Sequence, residues 1–334
     1  MIRDILVVGA GLCGLHAAGR LQSAGRSVLV LEKSRGFGGR AATRRWRDRP
    51  VDHGAQFFTA KSPEFAAQAA QWRDQGICHE WTRGFHRYAG GKLHEPSGEA
   101  FPRYACRAGM SSLGRALAEP LGDLVHREAK VTRLSPDGDL WLAELEDGRT
   151  FRARGLLLTP PPAQSSALLT GAAPAAAAEI ARHHSLPCLA VAAAFPRRAM
   201  NWQGIQAPGD GILAWIGHDT GKRPELHPGC TVLMLHAAPP FSSRYRGAPD
   251  EKIVAALLER ASEMTAQDWT SPDDSFVQRW RYALPVADGT EPGPSVYRSP
   301  APFVVAGDWC FGGRIEGAWR AGRAAAEHLL ALTD

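Results

Sequence analysis

Several signals that would assign a chemistry outright are missing from this chain. Its six cysteines (13, 78, 106, 188, 230 and 310) lie far apart and form no C-x-x-C. That argues against a zinc ribbon and against a redox-active disulfide. No run of five or six like charges appears, so the net charge of +5 is not gathered into a basic arm for nucleic acid. No apolar stretch reaches the roughly 18 residues needed to span a bilayer, and Met1 stands only three residues before the first apolar strand. The chain is therefore expected to be soluble and cytoplasmic, without nucleic-acid or membrane partners. Lysine is scarce, at six residues, and no Ser/His/Asp or paired-carboxylate pattern stands out. His183-His184 lacks both metal spacing and a third ligand, so no metal is expected and the pair is assigned to the surface.

What is present sits at the two ends. Asp4-Ile-Leu-Val-Val-Gly9-Ala-Gly11-Leu12-Cys13-Gly14 is a short apolar strand running into G-x-G-x-x-G. A helix over 12–24 and a second strand ending at Glu32 complete a βαβ unit. Gly9 suits the tight turn, Gly11 lets the backbone approach a pyrophosphate, and Gly14 lets helix and strand pack closely. The helix N-terminus favours the phosphates, and Glu32, with Lys33 after it, stands where an acid accepts from ribose hydroxyls. The loop Ser34-Arg-Gly-Phe-Gly-Gly39-Arg40 adds a second close approach and a guanidinium, which a plain NAD-dependent dehydrogenase does not need. No second G-x-G-x-x-G follows, so separate FAD and NAD folds are not expected. Near the C-terminus, Val304-Val-Ala-Gly307-Asp308-Trp309 is an apolar strand ending in an acid suited to ribitol hydroxyls. The helix opening near Gly317 would direct its N–H groups at the flavin N1/O2 edge. Together the two ends specify FAD.

Between them, helices are expected over 64–75, from Gly109 and over 251–264, and paired strands from Trp81 to Leu93. A meander is expected over 129–132, 140–145 and 150–152, turning at Asp137-Gly138 and Asp147-Gly148. Leu156 to Pro162 ends a strand abruptly and suits a crossover between domains. Residues 163–182 should be helical but split by Gly171 and Pro174. The expected class is α/β, a Rossmann-like FAD domain (1–58, 100–162 and 286–334) with a mixed-sheet substrate domain (59–99 and 163–285).

The segments Gly9–Gly14, Ser34 to Arg45, Asp52-His-Gly-Ala-Gln56-Phe57-Phe58-Thr59 and Gly307-Asp308-Trp309…Gly313-Arg-Ile-Glu316-Gly317-Ala318-Trp resemble the renalase family, especially its bacterial branch. That family lies within the flavin amine oxidase and p-hydroxybenzoate hydroxylase-fold group. Gly109-Met-Ser-Ser, Leu213-Ala-Trp215-Ile and Gln278-Arg-Trp280-Arg-Tyr282-Ala-Leu-Pro285 extend the resemblance over nearly the whole chain. It implies a two-domain fold with non-covalent FAD. The implied activity is oxidation of 2- and 6-dihydro isomers of NAD(P)H, by hydride transfer to flavin N5, with O2 regenerating the flavin and yielding H2O2. The family's FAD contacts carry over to Cys13, Arg40, Gln56 and Phe57, the last two near the isoalloxazine. Leu12, Gly39, Val131, Glu316 and Ala318 complete the expected cofactor set.

Hydride transfer from a dihydropyridine needs geometry more than a general base, so no conventional catalytic residue is expected. Trp215, Trp280 and Tyr282 suit an aromatic slot for substrate or, equally, a core. His218, Lys222 and Arg223 suit the substrate's phosphates or a solvated loop. Cys310 stands where a flavin thioether could form, against which the resemblance argues. The chief alternative is an amine oxidase, with a lysine near N5 and an aromatic cage, for which Lys222 is the candidate. A membrane-type oxidase would need long apolar stretches that residues 186–290 lack, and a flavin-binding sensor would not turn over.

Overall fold

The computed structural model describes residues 2–96, 101–227, 229–286 and 289–333. The chain packs as two compact units, Met1–Ala41 with Ser111–Ser185 and Pro285–Asp334, and Ala42–Met110 with Leu186–Leu284.

The first unit is built on a sheet in the order Val131–Asp137, Leu140–Leu145, Thr150–Leu158, Ile2–Val8, Val28–Leu31, Val125–His126. Strand Phe303–Val305 also pairs with Thr150–Leu158 and carries Ser295–Tyr297. Its centre is parallel: Leu6 faces Leu29 on one side and Leu156 on the other. Strands buried on both faces read as unbroken apolar runs, and Ile5 to Val8 and Val28 to Leu31 are buried throughout. Thr150–Leu158 does two jobs. Its polar first half pairs with the antiparallel meander and its apolar second half with the parallel centre. Helices Leu12–Ser23 and Arg314–Thr333 cover the sheet, meeting where Gly322 lies against the Cys13 carbonyl.

The second unit holds a seven-stranded sheet in the order Asp274–Pro285, Ser185–Pro196, Cys230–Ala237, Leu213–His218, Gly204–Gln206, His86–Ala89, Lys92–His94. Side chains alternate across a strand. Val191, Ala193 and Phe195 thus share one face with Leu233 and Leu235, under Ile253, Leu257 and Ala261 of helix Asp250–Thr265. Ala190, Ala192 and Ala194 share the other with Val232 and Met234, packed against Trp46 and Val51.

Domain limits expected at 58, 99 and 162 fall instead at 41, 110 and 185, while that expected at 285 falls at 284. Trp46 and Val51, on the hairpin Thr43–Trp46/Arg49–Asp52, pack on the alanine face of the second sheet. Strand Arg103–Cys106 pairs with Cys78–Thr82. Helices Pro162–Leu169 and Pro174–Ile180 bury Leu169, Ala176 and Ile180 in the first core, so Pro160 to Pro162 ends a strand without leaving the unit. The paired strands expected from Trp81 divide between two sheets, Cys78–Thr82 pairing away from the hairpin His86–Ala89/Lys92–His94. Helix Pro239–Tyr245 was not expected. No described helix is long and apolar enough to cross a membrane.

Candidate functional site

In the first unit the glycines divide by what requires them. Gly9 has φ +107°, and a Cβ there would stand 2.5 Å from Thr159 Oγ1. A Cβ on Gly14 would land on the Gly9 carbonyl oxygen and stand 3.2 Å from Val7 Cγ1. Gly11 is different, because its backbone is ordinary (φ −74°, ψ 174°) and a Cβ would meet nothing within 4 Å. Gly9 and Gly14 serve the turn; Gly11 leaves an open approach to the N-terminus of helix Leu12–Ser23. There the first N–H groups lack helical partners and favour an anion.

Glu32 ties the turn to the end of the second strand. Ala10 N–H donates to its Oε2 at 2.7 Å, and Ser34 donates through N–H (2.8 Å) and Oγ–H (2.5 Å) to its Oε1. Oε1 thus accepts twice, while Oε2 keeps a lone pair for a ribose hydroxyl. The loops meet where Gly38 N–H donates to Ala10 O at 2.9 Å. Arg40 and Asp308, expected at pyrophosphate and ribitol, pair with each other at 2.7 Å. Gly317 sits against the carbonyl oxygens of Phe311 and Asp308, where a Cβ would intrude at 2.7 and 3.1 Å.

Leu12, Cys13 and Val131 are buried, and Glu316 and Ala318 are half-buried in the first turns of the last helix. Exposed Lys33 donates to Gln164 Oε1 at 3.0 Å. Burial pushes the Cys310 thiol up to about 12, which keeps it protonated and weakly nucleophilic at neutral pH. His183, assigned to the surface, is half-buried and packs on Trp309 at 4.2 Å. Thr159 gave no signal in sequence; its hydroxyl donates to Val8 O at 2.9 Å and braces the turn. An open glycine above a helix N-terminus, a tethered acid and a converging second glycine loop fit an FAD pyrophosphate and ribose.

The second unit holds a buried charge cluster. Asp52, Asp219, Lys222 and Arg223 have fully buried side chains. Lys222 Nζ donates to Asp219 Oδ1 (2.9 Å), Gln56 Oε1 (3.0 Å) and Asp52 Oδ2 (3.3 Å), using all three of its protons. Arg223 pairs with both carboxylates and donates to Cys106 O (3.0 Å) and Pro50 O (2.8 Å). Asp52 also accepts from Thr43 Oγ1–H at 2.7 Å and Met110 N–H at 2.8 Å. Burial alone would raise the Asp219 carboxyl, but Lys222 and Arg223 outweigh it and hold the group below its usual range. Burial likewise opposes the Arg223 charge, and Asp52 with Asp219 reverses that. Lys222 and Arg223 are therefore neither phosphate ligands nor solvated loop charge. The 3-10 turn Asp219–Lys222 places its own carboxylate three and four residues before them, and Asp52 neutralises the rest.

Gln56 is locked, its Nε2 donating to Asp52 O (2.5 Å) and Gly54 O (3.0 Å) while Oε1 accepts from Lys222. Beside it, Phe57, Phe85 and Trp215 pack with ring centres 4.7–5.5 Å apart. Trp81 joins at 5.3 Å from Phe85, and Lys222 Nζ lies 5.3 Å over its ring. Trp215, Lys222, Gln56 and Phe57 are thus brought together. Trp280 stacks on His53 and donates to its carbonyl at 2.8 Å, while half-buried Tyr282 packs under Arg281. His218 leans on Trp202. Asp219, which no motif marked, is the acid that sequence reading missed. No described group of His, Cys, Asp or Glu could hold a metal.

Burial lowers His53 and His218 to about 4 and His236 to about 3, and His16 in the first unit to about 4. These imidazoles stay neutral when folded and take up protons at 6.5 when unfolded. Stability is therefore expected to hold above pH 6.5 and to fall as pH drops from 6.5 towards 4, by up to about 3 kcal/mol per histidine. Urea midpoints at pH 7.5 and 4.5 check this; equal midpoints would contradict it.

Comparison with known proteins bears on both units. The sequence model of the family described as flavin containing amine oxidoreductase matches residues 72–330, and that of the NAD(P)-binding Rossmann-like domain matches residues 7–91. The FAD-dependent oxidoreductase oblC of Cochliobolus heterostrophus is 58% identical over 41 residues, 12% of this chain and 8% of that protein. The Dictyostelium discoideum protein named "Probable flavin-containing monoamine oxidase A" is 26% identical over 137 residues, 41% of this chain and 23% of that one. The chain thus matches less than a quarter of either relative's length. Among solved structures, putrescine oxidase bound to putrescine superposes with a TM-score of 0.74 at 16% identity, over 99% of each chain. Cyclohexylamine oxidase from Brevibacterium oxydans IH-35A gives 0.71 at 16%, over 100% of each. At such identity these two show a shared fold.

Proposed function

We propose a substrate for this chain, which belongs to the flavin containing amine oxidoreductase family and is an FAD-dependent oxidoreductase: the 2- and 6-dihydro isomers of NAD(P)H. Bound non-covalently, FAD would supply a hydride acceptor for the dihydropyridine and a route for its electrons to O2, so that the products would be NAD(P)+ and H2O2. The first unit would hold the FAD. Gly11 and the helix behind it receive the pyrophosphate, Glu32 the ribose, and Asp308, oriented by Arg40, the ribitol. The second unit would hold the substrate, with Phe57, Phe85 and Trp215 excluding water from the reacting ring.

One observation carries the choice of substrate. The fully buried charged groups beside these rings are already paired with one another: Lys222 has no free proton, and Asp52 and Asp219 are neutralised by Lys222 and Arg223. A protonated amine would find no unpaired carboxylate there, and Lys222 is not free to serve as the lysine of an amine oxidase. A dihydropyridine needs neither, since it gives up hydride without first losing a proton. The amine oxidase reading rests on the family model and on what the relatives and structural neighbours are named for. Anaerobic mixing decides between the two. A mixture of dihydro-NAD isomers is expected to bleach the yellow flavin within seconds, and air to restore the colour with peroxide formed. If putrescine or another primary amine bleaches it and the isomers do not, the amine oxidase reading replaces this one.

A further inference from the structure

We propose that the indole N–H of Trp215 is the donor that recognises the carboxamide oxygen of the substrate ring, and that two facing glycines, Gly204 and Gly217, set its position. The proposal rests on the dihydronicotinamide reading above. Gly204 and Gly217 are direct partners across the ladder between strands Gly204–Gln206 and Leu213–His218. Trp215 stands two residues before Gly217, so its side chain shares that residue's face of the sheet. The indole lies against both glycines. A Cβ on Gly217 would stand 2.7 Å from Nε1 and 3.3 Å from Cε2, and one on Gly204 would land on Cη2, 2.8 Å from Cζ2. Neither glycine has a positive φ, so both positions need the missing side chain and not an unusual backbone. Phe57 (5.5 Å) and Phe85 (4.7 Å) pack on the indole and hold it there.

In this seat Trp215 is 7% exposed and its Nε1 has no hydrogen-bond partner. Three other tryptophans of this unit have acceptors: Trp81 donates to Gln203, Trp269 to Thr265 and Trp280 to His53. An unpaired buried donor is costly and calls for an explanation. Gln56 Oε1, 3.3 Å from the same Cβ position on Gly217, accepts from Lys222 and makes no hydrogen bond with the indole. What the spot lacks is an acceptor from outside, presented by a flat group that fits among aromatic rings. A neutral heteroaromatic carboxamide supplies both; a primary ammonium ion, which has donors alone, supplies neither.

The test uses the FAD-loaded enzyme and two substrates, the dihydro-NAD isomers and the same isomers of the thionicotinamide analogue, whose sulfur accepts hydrogen bonds weakly. In the wild type the thioamide is expected to raise KM about tenfold. Trp215→Phe keeps a ring and removes the N–H; it is expected to raise KM for the carboxamide about tenfold, with kcat little changed, and to abolish the difference between the substrates. A merely structural role for Trp215 would not erase that difference. Gly217→Ala, which keeps the N–H but displaces it, is expected to give the same loss of discrimination, and it serves if Trp215→Phe does not fold. If Trp215→Phe or Gly217→Ala retains the full difference between carboxamide and thioamide, the inference is overturned while the oxidase reading stands. If the wild type oxidises neither substrate, the oxidase reading itself falls and this one with it.

Discussion

Gly11→Ala is expected to leave the melting temperature of the apoprotein within a degree of the wild type and to weaken FAD binding about a hundredfold, roughly 2.7 kcal/mol. The reason is the contrast among the glycines of one motif. A methyl group on Gly11 meets no protein atom within 4 Å, and its backbone is one that alanine adopts without strain. It would fill the space through which a pyrophosphate reaches the helix N–H groups. Gly14→Ala should behave in the opposite way. Its methyl would collide with the Gly9 carbonyl and press on Val7, backbone and core atoms that cannot swing aside. A loss of about 1–3 kcal/mol of stability is expected, as for other overpacked sites. Titrating apoprotein with FAD by fluorescence quenching and melting both variants separates the two effects. If Gly11→Ala binds FAD like the wild type, the pyrophosphate does not lie over this turn.

The second large effect concerns the buried charges. Arg223→Leu leaves Asp52 and Asp219 sharing Lys222 alone in a site closed to water, and is expected to lower stability by about 3–5 kcal/mol. Asp52→Ala should do similar damage from the other side, leaving two cations against one acid and freeing Met110 N–H and the Thr43 hydroxyl. Asp219→Asn combined with Lys222→Met removes one charge of each sign, and should cost less than the sum of its single variants because each single change strands the other's partner. Urea unfolding of the wild type, the two single variants and the double variant gives the coupling. Additive losses of under about 1 kcal/mol each would show that these pairs do not hold the unit together.

The first expectation shows where sequence reading works, and the second where it stops. The βαβ unit was legible because it rests on local requirements: an apolar run for a doubly covered strand, glycine for the φ of Gly9, an acid at the end of the second strand. The last helix and the acid before it were legible for the same reason. The alanines at 190, 192 and 194 gave less away. Small apolar residues suit a strand there, but only the packing of Trp46 and Val51 on them shows that this face is tightly covered. The domain limit expected at 162 was missed because helices Pro162–Leu169 and Pro174–Ile180 look alike whichever core receives them.

The dinucleotide turn, the βαβ order and the FAD reading could be drawn from the order of residues because each depends on neighbours within a few positions. The fate of Lys222 and Arg223 could not. Their partner Asp52 is 170 residues away from Lys222, and a charge on a short turn is equally compatible with solvent, a phosphate or a buried carboxylate until the chain has folded. Gly204 and Gly217 make the same point without charge. A glycine kept for its conformation carries a turn signature, whereas one kept for the space beneath a tryptophan carries none, because that space exists only once two strands have paired.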